Sequence, residues 1–383
     1  MPKKRILLWG LIFIILALIL VYFAFNSEKT EKRNLRKEFS IPNNTFIDVA
    51  YAVVLLHEDD ETKNTIKTID SIKELDKYKK NLRKHIIELL HIPLPEQEKI
   101  NVSIIETIDK GKYYQNKLKI QSSEITRIPA YLLVPKNVMT PMPAIIAMHQ
   151  HGNNYENGKE EIVGNKGDPT MFYGKELAER GYIVFAADTM LFGEKYDSTD
   201  ENSPKVIEEL TAQALFSLGV PPLGIVVQED LIGLDFLYEL DIVDKNNIGC
   251  IGHSFGGTRC NYLAALDDRI KVVAISNSVA FLISERIVSR TWLAILPGLG
   301  EYTGKRGLLA LIAPKPQIFL YSENDPVFPA DEASDIFKDL NNLYERLGYK
   351  ENLEVIYLKN ETHTFPMEYH EIVYRFFDKH LSD

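Results

Sequence analysis

The run Gly252-His253-Ser254-Phe255-Gly256-Gly257 constrains the fold of this chain more than any other stretch. A short apolar segment, Asn247 to Ile251, precedes it and reads as a buried strand. Thr258 to Leu266 follows and reads as a helix with Cys260, Leu263 and Ala264 on one face. A Gly-x-Ser-x-Gly pattern on its own recurs by chance in turns. Placed between a strand and a helix it acquires a mechanism. The chain reverses so tightly that the serine adopts strained backbone, and only small residues fit beside it. Its hydroxyl is left at a helix N-terminus, where free N–H groups and the dipole favour negative charge. Ser254 is therefore the candidate nucleophile.

The 383 residues are 45% hydrophobic and 26% charged, enough apolar material for a large core in one domain or two. A net charge of −10 argues against nucleic acid or an anionic membrane surface as the main partner. The two cysteines, Cys250 and Cys260, flank Ser254 within the strand–turn–helix unit. They read as small buried hydrophobes and make no disulfide framework.

Ile6 to Phe25 carries no charge and follows Lys3, Lys4 and Arg5. At about 1.5 Å per residue such a helix matches a hydrocarbon core of roughly 30 Å. Cleavage after Ala24 would place the bulky Tyr22 at the −3 position, so an uncleaved transmembrane anchor (1–26) fits better than a secretory signal. The basic N-terminus points to a catalytic domain outside the cytoplasm, although Lys29, Lys32, Arg33, Arg36 and Lys37 follow the span. Residues 27–45 read as a linker and 46–97 as a helical segment packed on the catalytic domain. In that segment Ile66, Ile69, Ile72 and Leu75, then Leu82, Ile86, Leu89 and Leu90, recur at helical spacing.

Residues 98–383 alternate strands with helices. Val102 to Ile108 and Leu118 to Ser122 flank a polar turn and predict an antiparallel pair. Further strands are expected at 128–134, 144–148, 182–187, 272–275, 317–321 and 353–358, with helices at 171–180, 229–240 and 367–381. The fold class is α/β, a mainly parallel sheet covered by helices on both faces. Two insertions, 197–220 and 281–306, leave the sheet where a site would lie and are candidate pocket walls.

A serine needs a base, and the base needs a carboxylate to fix its tautomer. In open α/β sheets both come from loops at the C-terminal ends of strands. Asp325 follows the strand at 317–321, and His363 follows the strand at 353–358. Glu323 is the fallback acid and His370 the fallback base. For a tetrahedral oxyanion the expected N–H donors are Phe255, the residue after the nucleophile, and Asn153 in the loop His149 to Asn154. No carboxylate or third histidine accompanies His149 and His151 at metal-binding spacing, so no metal is expected.

On these residues the chain resembles the α/β-hydrolase superfamily, and within it the dienelactone-hydrolase-like and acetylxylan-esterase-like bacterial esterases. The resemblance runs over roughly residues 80 to 383. It is carried by Arg127 to Pro135, His149 to Asn153, Asn247 to Gly257, Ala313 to Pro316, Asp325 and His363. It implies an α/β-hydrolase fold and cofactor-free hydrolysis of carboxylic esters, with acetyl esters of carbohydrate as one substrate class. Ser254 stands where dienelactone hydrolases proper carry cysteine. Asn153 and Asn154 stand where the family often has glycines. Two rival functions remain: a serine peptidase of the prolyl-oligopeptidase type, and a non-catalytic membrane-tethered binding protein. The segment before residue 100 is too short for the propeller usual in the first, and Ser254, Asp325 and His363 in order count against the second.

Overall fold

The structure, a computed structural model, describes residues 66–91, 100–121, 127–136, 141–199, 202–280 and 291–381. The expected anchor, the linker, residues 46–65 and 92–97 of the helical segment, residues 200–201 of the first insertion and residues 281–290 of the second lie outside the described residues. Among the described residues no single helix is long and apolar enough to cross a membrane.

A nine-stranded sheet carries the fold. Its strands are β1 (Asn101–Asp109), β2 (Tyr113–Gln121), β3 (Arg127–Pro135), β4 (Met142–Met148), β5 (Ile183–Ala187), β6 (Val243–His253), β7 (Ile270–Ser276), β8 (Gln317–Ser322) and β9 (Leu353–Leu358). They lie in the order β1-β2-β3-β5-β4-β6-β7-β8-β9. Pairing is antiparallel from β1 through β3 to β5 and parallel from β5 to β9. Burial follows the pairing. β2 alternates between buried and exposed positions, as a half-covered antiparallel strand should, whereas β5 is buried throughout. This is the α/β-hydrolase arrangement the sequence predicts.

Among the described residues seven longer helices flank the sheet: α1 (Ile72–Leu90), α2 (Tyr173–Arg180), α3 (Pro204–Ser217), α4 (Pro222–Glu239), α5 (Phe255–Leu266), α6 (Ala330–Leu347) and α7 (His370–Leu381). Four differ from expectation, one of them α3, a helix formed within the first insertion. α4 begins seven residues before the expected Glu229, because Pro222 sits at its first position, where a missing N–H costs nothing. α5 begins at Phe255, directly after the serine, and is buried on nearly every side. α6 is an additional helix, with Ala333, Ile336, Phe337, Leu340, Leu343 and Tyr344 on its buried face.

α1 starts at an N-cap, Ser71, whose hydroxyl accepts the Glu74 N–H. That start breaks the expected Ile66–Ile69–Ile72–Leu75 stripe. Ile66, Ile69 and Leu75 are buried, but Ile72 falls on the outer face, because the helical phase is set from Leu75 through Leu82, Ile86 and Leu90. The helix packs on α4 and α5. Gly224 of α4 lies against the Leu90 carbonyl so closely that no Cβ would fit. Arg83 donates from Nε to the Ala265 carbonyl at 2.6 Å, and Lys315 donates to the Ala264 and Asp267 carbonyls at 3.1 and 3.0 Å. Two cations thus occupy the last carbonyls of α5, where the helix dipole is negative. Cys250 and Cys260 are both free and buried, as expected.

Candidate active site

The chain leaves β4 for β5 on one side, while β6 lies on the other. This reversal of strand order opens a crevice at the strands' C-terminal ends. The loop after β4 and the turn after β6 both face it. Ser254 sits on that turn with φ 55° and ψ −122°, a conformation costly for any residue with a Cβ. Its N–H donates to the Ser276 carbonyl at 2.9 Å, which ties the turn to the end of β7. The flanking glycines are steric requirements. A Cβ on Gly252 would run into the Gly256 backbone, and one on Gly256 would stand 2.9 Å from the Met148 carbonyl carbon.

Three expected side chains meet here. His363 Nε2 lies 2.8 Å from Ser254 Oγ, and His363 Nδ1 lies 2.8 Å from Asp325 Oδ2. The Asp325 side chain is fully buried, and Oδ1 accepts the N–H groups of Val327 and Phe328 at 2.7 and 2.9 Å. Its three contacts leave the carboxylate one orientation. Phe328 stacks on the His363 ring, with centroids 5.6 Å apart. On another side lies His253, buried, with its ring 4.8 Å away and Nδ1 3.1 Å from Ser276 Oγ. Burial first, and then repulsion whenever the neighbouring His363 is protonated, push His253 well below the usual histidine range.

The fallback residues stand apart from this group. Glu323 accepts the Asn360 N–H at 2.7 Å on the exposed side of the loop. His370 is buried, with Nδ1 2.8 Å from Glu176 and Nε2 3.2 Å from the Phe365 carbonyl. Sequence reasoning missed Asn277, which positions the histidine loop. Its Nδ2 donates to Ser322 Oγ at 2.9 Å and to the Thr364 carbonyl at 2.6 Å, while Oδ1 accepts the Ser322 N–H at 2.9 Å. One buried amide therefore joins the end of β8 to the residue after His363.

Phe255 is the first residue of α5, so its N–H has no acceptor within the helix. Asn153 lines the same cavity, but its N–H is turned onto His151 Nδ1 at 3.2 Å, an acceptor within its own loop. His151 Nε2 in turn lies 2.7 Å from Glu208 Oε2. His149 is buried below the loop, with Nδ1 2.8 Å from the Gln150 carbonyl and Nε2 accepting the Thr189 N–H at 3.3 Å. The two histidines thus shape the loop. No group of three or more His, Cys, Asp or Glu side chains placed to hold a metal occurs among the described residues.

Glu208 belongs to α3, inside the first insertion, and no local pattern marks it. The cavity beside Ser254 Oγ measures about 100 Å³. His151, Asn153, Phe255, Thr258, Thr291 and Phe328 are among its walls.

A family model described as Abhydrolase family matches residues 40–292, more than half of the chain. The chain belongs to the Abhydrolase family. Over 279 residues it is 28% identical to "Putative hydrolase YtaP" of Bacillus subtilis (strain 168), spanning 72% of this chain and 90% of that protein. Among solved structures it is similar to a "putative acetyl xylan esterase (BF1801)" from Bacteroides fragilis NCTC 9343. That likeness has a TM-score of 0.68 at 18% identity and covers 82% of this chain and 83% of the other. It is also similar to acetyl xylan esterase 1 from Thermoanaerobacterium sp. JW/SL YS485, with a TM-score of 0.52 at 16% identity over 84% and 98%. At these identities the solved structures speak to the abhydrolase fold alone.

Proposed function

We propose that this abhydrolase is a serine carboxylesterase acting on short-acyl esters, acetyl esters of carbohydrate among them. The observation that carries the reading is the unbroken chain from Ser254 Oγ through His363 to the buried Asp325, with both links at 2.8 Å. Ser254 Oγ attacks the ester carbonyl while His363 Nε2 takes its proton. Negative charge gathers on the carbonyl oxygen, beside the Phe255 N–H and within reach of the Asn153 N–H. A charged oxygen is a stronger acceptor than an imidazole nitrogen, so the Asn153 amide transfers to it from His151. His363 then gives its proton to the departing alkoxide, leaving an acyl group on Ser254. A water deprotonated by His363 attacks that acyl group, and the carboxylic acid departs as the proton returns to Ser254. Asp325 stays ionised throughout and stabilises the imidazolium.

Cavity size supports a short acyl group. About 100 Å³ is room for roughly three water volumes, far below the 300–1,000 Å³ or so typical of drug-sized ligand pockets. The names of the acetyl xylan esterases that share the fold point the same way. In detergent, the full chain should hydrolyse p-nitrophenyl acetate, and Ser254→Ala should fall to background. Equal rates for the two folded proteins would refute the proposal. The uncharged run from Ile6 to Phe25 supports an enzyme tethered to a membrane with its site outside the cytoplasm. Carbonate-resistant pelleting, with the C-terminus open to protease from outside intact cells, tests both parts. A protein washed off by carbonate would refute the tether.

A further inference from the structure

Glu208 is a buried carboxylate four donors surround. Oε2 accepts from His151 Nε2 at 2.7 Å and from the Tyr155 hydroxyl at 2.6 Å. Oε1 accepts from the Thr291 hydroxyl at 2.9 Å and from the Trp292 N–H at 2.7 Å. It therefore joins three segments: the loop after β4, the inserted helix α3 and the second insertion. Two of its partners, His151 and Thr291, form part of the cavity wall beside Ser254.

The His151 ring is constrained from both sides. A carboxylate only accepts, so Nε2 must carry the proton that faces Glu208. On the other side the Asn153 N–H points at Nδ1, which must therefore be bare. We infer that Glu208 fixes the tautomer of His151 and, through Nδ1, holds the Asn153 amide at the cavity wall for use in catalysis. This makes Glu208 a positioning residue for the oxyanion loop, and the inference rests on the reading of Ser254 as nucleophile. Asp325 does the same for His363, so two carboxylate–histidine pairs flank one serine. The first sets a base, and the second sets a backbone donor. The hydrogen bonds from His151, Tyr155 and Trp292 outweigh burial and hold Glu208 below the usual carboxylate range, which keeps it an acceptor.

Glu208→Gln tests this with little change of shape. The Trp292 N–H cannot turn, so the glutamine oxygen must stay on that side and its NH₂ must face His151. His151 Nε2 then becomes the acceptor, its proton moves to Nδ1, and two N–H groups confront each other at Asn153. In full-length protein with ¹⁵N-histidine, assigned with a His151→Phe variant, wild-type Nδ1 should be unprotonated and Glu208→Gln should reverse the pattern. Its kcat should fall about 100- to 1,000-fold, with KM within about threefold, as for a lost oxyanion donor. The double variant with His151→Phe should be no slower than His151→Phe alone. Tyr155→Phe removes a Glu208 hydrogen-bond donor but keeps the ring that packs edge-on against His151, and should keep the wild-type tautomer.

A protonated Nδ1 in the wild type would overturn the inference without any variant. So would a reversed tautomer with unchanged kcat, or losses that multiply in the double variant. A wild type no faster than Ser254→Ala would instead defeat the esterase reading, while the tautomer measurement still stands on its own.

Discussion

Gly256→Ala isolates the steric demand of the serine turn. In an ordinary helix this change would stabilise by about 1 kcal/mol. Here the new Cβ would stand 2.9 Å from the Met148 carbonyl carbon, 3.0 Å from the His149 carbonyl oxygen and closer still to the Met148 oxygen. Carbon contacts settle near 3.5–4.0 Å or so, so the start of α5 has to withdraw from the end of β4 by roughly 1 Å. Ser254 directly precedes that start. Its 2.8 Å contact with His363 would then stretch past the limit of a hydrogen bond. A misplacement of about 1 Å costs on the order of 100-fold in rate, or about 2.7 kcal/mol of barrier. Overpacking costs the fold about 1–3 kcal/mol, a drop of a few degrees in Tm. Ester hydrolysis and thermal unfolding, read on the same preparation, check both numbers. A variant with unchanged or raised Tm and kcat/KM within threefold of wild type would refute the reasoning.

Asp325→Asn should lower kcat by about 10⁴ with little loss of stability. The Val327 and Phe328 amides keep the asparagine oxygen, so its NH₂ faces His363 Nδ1 and drives the ring proton toward Ser254. A loss below tenfold would contradict that geometry. Glu208 has a folded pKa below its ordinary value of 4.5, so its contribution to stability is present above about pH 4.5 and is lost as pH falls through the folded value. The Tm gap between wild type and Glu208→Gln should therefore be widest near pH 7 and close toward pH 3, and a constant gap would exclude this linkage. With about 100 Å³ beside Ser254, kcat/KM should fall at least about tenfold from p-nitrophenyl acetate to the butyrate. Equal rates on acetate and octanoate would show that the acyl chain lies elsewhere.

The parallel half of the sheet was legible because its strands are short apolar runs ended by polar turns, and β9 matches its expected bounds, Leu353–Leu358. Ser254, Asp325 and His363 were legible as a set because each follows its strand directly, and the fold delivers strand ends to one edge. Other features leave no local trace. His151 and Glu208 are 57 positions apart, and nothing about a glutamate in an amphipathic helix announces a buried partner. Asn277 reads as one polar residue in a loop, and its value lies in reaching both Ser322 and Thr364. The α6 helix is a different case: its apolar spacing from Ala333 to Tyr344 was present to be read. The Asn153 amide shows the limit of motif reasoning. A loop position can be identified from sequence, but the acceptor its N–H faces depends on which way the neighbouring imidazole points.

The Arg83 contact changes where a fragment of this protein can sensibly begin. A boundary drawn where the strands begin, near residue 98, looks like the natural edge of a catalytic domain. It would cut away the guanidinium that sits on the Ala265 carbonyl, and with it the Leu90 turn seated against Gly224. The end of the serine-bearing helix would then face solvent with Lys315 alone. Truncation series and domain fusions should therefore keep the chain from Ile66 onward, since the piece that carries the sheet is smaller than the piece that closes the end of the serine-bearing helix.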